Sequence, residues 1–318
     1  MGTVSLFTDA AMDRHASPGH PERPERRGAV VAGVREAAGE ELVQPAVVSA
    51  SDETIEVVHG SVYLELLTDG ERRGGGWLDP DTYLVPGSVA AARLAAGATV
   101  QAARAAHGGS AAVAFAAVRP PGHHAGADGG RGFCLFNNVA IAVAALRTDG
   151  VRRVAVVDWD VHHGDGTQAL FDGDPEVCYA STHQSPFYPG TGAAADRGTG
   201  AAIGTMHNRP LPAGAGDAAF IAAWRDELLP AVEAFAPEAI LVSAGYDAHV
   251  RDPLANLAVT DDGYATVSRA LGALSVRLGL RGVALTLEGG YDLDALRDSS
   301  AATVRGLLDG RAAEAGSA

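Results

Sequence analysis

At 318 residues, 47% of them hydrophobic, the chain can bury the core of one large α/β domain. No apolar run approaches the roughly 18 residues of a membrane span, and the start at Met1 lacks the stretches of a secretory signal. A cytosolic protein without a membrane partner is expected, and the formal charge of −15, with all 24 basic residues arginine, argues against nucleic acid as a partner.

The first distinctive segment is His20-Pro21-Glu22-Arg23-Pro24-Glu25-Arg26, punctuated by proline, where Arg23 and Arg26 read as loop anchors through Glu22 or Glu25. A loop over 66–87 contains Gly74-Gly75-Gly76-Trp77, whose aromatic belongs at a pocket rim, at a subunit contact or in the core. Alanine-rich 88–106 predicts a helix, and 111–118 a strand that runs into Arg119-Pro120-Pro121-Gly122-His123-His124-Ala125. Cys134 follows in Gly132-Phe133-Cys134; neither it nor Cys178 has a Cys-x-x-Cys partner, so both are expected as buried thiols. The apolar run at 153–158 predicts a strand ending in Asp158-Trp159-Asp160-Val161-His162-His163-Gly164-Asp165-Gly166, and another strand is expected over 176–180.

Further on, 217–236 places Phe220, Trp224 and Leu228 at i, i+4 and i+8 of a helix, with Asp217 as N-cap and Pro230 as an interruption. A strand at 239–244 ends in Gly245-Tyr246-Asp247-Ala248-His249, and Thr260-Asp261-Asp262 opens another helix. The last strand, 282–288, ends in Glu288-Gly289-Gly290-Tyr291-Asp292, and the final eight or so residues read as a flexible tail. Short, continuous apolar runs suit strands covered on both faces. The expectation is therefore a single doubly wound α/β domain over 1–318, with a mainly parallel central sheet and a site at the carboxyl ends of its strands.

Every polar cluster directly follows one of these strands. In extended chain Asp158, Asp160 and His162 line one side, and a D-x-D-x-H-H-G-D-G string is dense in metal-type ligands. The adjacent His123 and His124 read as ligands, acid–base groups or a satisfied polar loop. Asp247 offers one more carboxylate, and the glycines before Tyr291 let the backbone approach a ligand and present a phenol.

Together these motifs resemble the histone deacetylase family, more its class II-like and bacterial members, including the acetylpolyamine amidohydrolases. Further matching segments are Gly132–Asn138 and Pro189-Gly190-Thr191-Gly192, and the likeness spans residues 20–291. The resemblance implies an arginase/deacetylase-like fold and hydrolysis of an acetylated amine: an acetyl-lysine protein, an acetylpolyamine or a small amide. It implies Asp160, His162 and Asp247 as ligands of Zn²⁺, with Fe²⁺ or Co²⁺ able to substitute. It implies His123 and His124 as the catalytic histidines, with His124 the main acid–base group. Asp158 and Asp165 would hold them, and Tyr291 would be the catalytic tyrosine. Gly132, Phe133 and Tyr188 fall on tunnel walls. Asp158, Asp160, His162 and Ser181 fall on a structural K⁺ site.

An Asp₂His set leaves less positive charge on a metal than three neutral histidines, so water there is harder to ionise and a separate base is needed. His15, His20, His59, His107 and His207 read as surface or structural, His163 as buried and hydrogen-bonded, and His183 and His249 receive no chemical role. Two other readings are weaker. A ureohydrolase like arginase needs a second D-x-D where only Asp247 stands. A non-catalytic acyl-lysine or metal-dependent binder should have lost a ligand, the base or the tyrosine, and none is missing.

Overall fold

Strands covered on both sides need apolar residues at every position, and Val113–Ala116, Val154–Asp158, Ala239–Ala244 and Val283–Leu287 are buried throughout. The computed structural model describes residues 2–317. In chain order its strands are β1 (Val4–Phe7), β2 (Leu42–Val43), β3 (Gly76–Trp77), β4 (Tyr83–Leu84), β5 (Val113–Ala116), β6 (Val154–Asp158), β7 (Val177–Gln184), β8 (Met206–Leu211), β9 (Ala239–Ala244) and β10 (Val283–Leu287). Eight make one sheet in the order β2-β1-β5-β10-β9-β6-β7-β8, all neighbours parallel, while β3 and β4 form a separate antiparallel pair.

The helices Glu25–Ala38, Asp261–Arg277 and Leu293–Ala315 pack together, and Ser88–Gly108 packs with Asn138–Thr148 and against β1, β5 and β10. This is the expected doubly wound arrangement. Its consequence for function lies in the strand order. β5, β10, β9 and β6 are consecutive neighbours, so the four polar clusters that follow them emerge side by side.

Several local expectations change. β8 went unread because its Asn208, Arg209 and Pro210 look unlike a strand; it is the sheet edge, where a missing N–H and polar side chains are tolerated. Asp217 does not cap its own helix, which starts from Gly216; its carboxylate instead accepts the N–H and hydroxyl of Thr260 at 2.8 and 2.7 Å. Pro230 does not break that helix either. The chain takes a π turn over Ala223–Leu228, and the proline falls in the first turn of Leu229–Phe235, where its lost N–H costs least. The last helix continues to Ala315, into the stretch expected as a tail, with Arg311 donating to the carbonyl of Arg281 at 2.8 Å. The loop over 66–87 begins as helix, through Arg72, and carries the β3–β4 pair, with Trp77 61% exposed.

Candidate active site

Beyond β6 the chain bends over residues 160–162, where Asp160 Oδ1 accepts the His162 N–H at 2.9 Å, and this turn brings the two side chains together. The Nδ1 of His162 lies 3.0 Å from Oδ1 of Asp160 and 3.2 Å from Oδ2 of Asp247, which follows β9. Two ligands held tetrahedrally at about 2.0 Å from a zinc ion are separated by about 3.3 Å, so the three atoms stand where one divalent cation can touch them all. Among the described residues this trio is the group of His, Cys, Asp and Glu placed to hold a metal ion.

The spare carboxylate oxygens are held in place. Asp160 Oδ2 accepts the N–H of Gly289 at 2.7 Å, and Asp247 Oδ1 that of Val161 at 2.9 Å, while the buried Asp247 Oδ2 has no hydrogen-bond partner. Glycine is required here by space: a Cβ on Gly245 would stand 2.1 Å from Asp160 Oδ2, and one on Gly289 2.0 Å from Asp247 Oδ2. Burial opposes charge on His162, yet the adjacent Asp160 and Asp247 carboxylates push its pKa up to about 10. The pair of buried carboxylates therefore demands a positive charge at that point, and an orphaned oxygen beside it fits a cation.

The tandem histidines sit against this trio with their rings 4.1 Å apart. His123 Nδ1 is 3.1 Å from Asp158 Oδ2, an oxygen that also accepts the Tyr179 hydroxyl at 2.9 Å. His124 Nδ1 is 2.7 Å from Asp165 Oδ1. Burial acts against protonating both, and then they part. Asp160 and Asp158 raise His123 well above the ordinary histidine value, whereas burial and the neighbouring His123 charge hold His124 down to about 3. A neutral His124 that bonds a carboxylate through Nδ1 carries its proton there and leaves Nε2 as an acceptor. Arg131 braces the pair, bonding Asp165 Oδ2 at 2.8 Å and the His124 carbonyl at 3.1 Å.

Tyr291 is buried after β10, with its ring perpendicular to Phe133 at 5.9 Å. Arg26 lies over that ring at 4.8 Å, donates to the Gly290 carbonyl at 2.5 Å and also reaches the Glu288 carbonyl. A cavity of about 180 Å³ joins these groups; its walls include the expected Gly132, Phe133 and Tyr188, together with Pro121, Leu254 and Asp81. Ser181 pairs in register with Asp158 across β6 and β7, and its hydroxyl lies 3.0 Å from His183 Nδ1.

Of the other histidines, His163 is buried between Thr191 at 2.7 Å and Gln168 at 2.9 Å, off the metal trio as expected. Cys134 is a buried thiol whose pKa burial pushes well up. The sequence reading missed Glu288, which accepts the N–H groups of Gly122 and His123 at 2.6 and 3.1 Å and so shapes the histidine loop from beneath. Its signal was a lone carboxylate at the end of an apolar strand. It also missed the buried pair of Glu22 with Arg119, which no local pattern announces.

Residues 20–307 match the histone deacetylase domain. A "Probable deacetylase" of Archaeoglobus fulgidus is 40% identical over 297 residues, covering 92% of this chain and 82% of that one. Another of Methanothermobacter thermautotrophicus is 42% identical over 310 residues, covering 95% and 90%. The crystal structure of the HDA15 HD domain matches with a TM-score of 0.91 at 35% identity, over 96% of this chain and 88% of that one. Such relatives support a hydrolase acting on acyl amides. The large parallel sheet thus has its counterpart in a solved structure, and the chain belongs to the histone deacetylase family.

Proposed function

We propose that the protein is a zinc-dependent deacetylase that hydrolyses the N-acyl amide of an acetylated lysine, polyamine or small amine. The observation that carries this reading is the Asp160, His162 and Asp247 trio, of which Asp160 and His162 line one cavity together with His124 and Tyr291. A divalent cation held by the trio supplies Lewis acidity, drawing electron density from a carbonyl oxygen and from water. His124 Nε2 takes a proton from the attacking water and later returns it to the departing amine nitrogen. Tyr291 keeps its proton and donates a hydrogen bond from its hydroxyl to the carbonyl oxygen as negative charge builds there. Burial raises its pKa well above the usual value, so it stays a donor through neutral pH. His123, held by Asp158 at 3.1 Å, packs beside His124, and the products are a carboxylate and a free amine.

Aromatic walls from Phe133 and Tyr188 suit an unbranched chain that leads the amide inward. Zinc is the first choice of metal, with Fe²⁺ or Co²⁺ able to replace it, because one imidazole and two carboxylates do not select strongly by softness. A potassium ion bound by backbone oxygens around Asp158, Asp160, His162 and Ser181 belongs to the same proposal. Asp247→Ala is expected to lower bound metal from about one ion per chain to near none, read by elemental analysis of protein purified without chelator.

The test is a screen of zinc-reconstituted protein over acyl-lysine peptides, acetylpolyamines and small N-acetyl amines. Tyr291→Phe should retain the metal and lose about 10²–10³ in kcat on the best substrate. Hydrolysis of none of the three classes by protein carrying its metal overturns the proposal, and a near-normal rate for Tyr291→Phe removes that residue from it.

A further inference from the structure

Asp252 lies in the loop after β9, buried, and touches no reacting atom. Its two carboxylate oxygens go to two different walls of the cavity. Oδ2 accepts the backbone N–H of Tyr291 at 2.7 Å, and Oδ1 accepts that of Leu254 at 2.9 Å. Its own N–H donates to the His249 carbonyl at 2.8 Å, which ties the loop back to the segment carrying Asp247. Tyr291 and Leu254 both line the cavity.

The tyrosine needs such a hold. Gly290 before it has a φ of 116°, in a region only glycine enters freely, so the turn by itself leaves the direction of the phenol open. Arg26 grips this turn from one side through its carbonyls, and Asp252 grips it from the other through an N–H. Because both partners of Asp252 are donors, both of its oxygens must accept. An amide of the same shape would turn an NH₂ group toward one of two N–H groups and satisfy only the other.

We propose that Asp252 is a positioning residue: one carboxylate, accepting from the backbones of Tyr291 and Leu254 together, fixes where the phenol stands against the cavity wall. The catalytic consequence rests on the deacetylase reading; the structural one does not, and the experiment separates them. Amide hydrogen exchange at Tyr291 and Leu254 is compared in the wild type, Asp252→Ala and Asp252→Asn, with or without metal. Protection at both amides is expected to fall in the Ala variant and at one of them in the Asn variant.

In turnover, Asp252→Ala is expected to lose about 10- to 100-fold in kcat per bound metal, since a misplacement of about 1 Å can cost that much. Added to Tyr291→Phe, it should lower kcat by no more than about twofold further, because the two act as a unit. Leu254→Ala, which leaves the Tyr291 bond intact, should move KM and lose less in kcat than Asp252→Ala. Unchanged protection at both amides in Asp252→Asn overturns the proposal even if the Ala variant fails to fold. So does a double variant that loses the product of the two single losses, which marks a general loss of structure. If the wild type hydrolyses nothing, the deacetylase reading fails while the exchange result still decides this one.

Discussion

His124→Ala is expected to lower kcat by about 10²–10⁴ across the neutral range while metal content stays at the wild-type level. The size follows from the two jobs assigned to one imidazole, taking a proton from water and returning it to the leaving amine. The structure equips it for the first. Burial, then the adjacent His123 charge, keep His124 unprotonated down to about 3, and Asp165 at 2.7 Å fixes which nitrogen is free. The second follows from the first, since the proton it has gained sits on the nitrogen that faces the cavity. Steady-state rates on the best substrate, with metal analysis of the same samples, check this. Unchanged activity over neutral pH would remove His124 as the base. His123→Ala should cost charge and packing but keep a proton acceptor, so a steeper loss there than at His124 would reverse the two roles.

A second large effect is expected far from the reacting atoms. Glu22→Ala should destabilise the protein by about 3–5 kcal/mol, because it strands two buried guanidinium groups. Glu22 Oε1 lies 2.5 Å from Arg119 Nε and 2.9 Å from Arg26 Nη1, Oε2 lies 2.6 Å from Arg119 Nη2, and all three side chains are wholly buried. Burial opposes the charge on Glu22, but Arg119 and then Arg26 outweigh it and hold the carboxyl at about 2, against 4.5 for an ordinary glutamate. The sign follows from the depressed value. The contribution is complete above about 4.5 and is lost as pH falls toward about 2, so this carboxylate favours acid unfolding of the wild type. Urea unfolding at neutral pH measures the loss, and a midpoint like that of the wild type would show the ion pair to be dispensable. Arg26 also lies over Tyr291, so whatever folded Glu22→Ala remains should turn over more slowly.

Much of the site could be read in advance because its chemistry is written in short strings. Asp158-Trp159-Asp160-Val161-His162 gathers its ligand-type residues within five positions, and although the chain bends over 160–162 instead of staying extended, that proximity keeps them together. Likewise His123 and His124 after β5, Asp247 after β9 and Tyr291 after β10 each follow an apolar run recognisable without knowledge of its neighbours. The residues that hold these groups were not legible. Glu22 meets Arg119 across 97 positions and Arg26 meets Gly290 across 264, and neither contact leaves a periodic trace. Asp252 and Glu288 looked like ordinary loop and strand-end acids until the N–H groups they accept came into view.

The sequence by itself determined the fold class and the four strand ends that bear chemistry, and its family resemblance named Asp160, His162 and Asp247 as the ligand set to look for. Only the tertiary structure decided that β10 lies between β5 and β9, so that Tyr291 emerges between the histidines and Asp247. It alone surrounded two identical side chains, one residue apart, so that carboxylates push His123 above the ordinary histidine value while burial pushes His124 below it. The physical reason is that apolar periodicity and turn chemistry act along the chain, whereas strand order, burial and the field at a proton depend on groups the chain brings together from far apart.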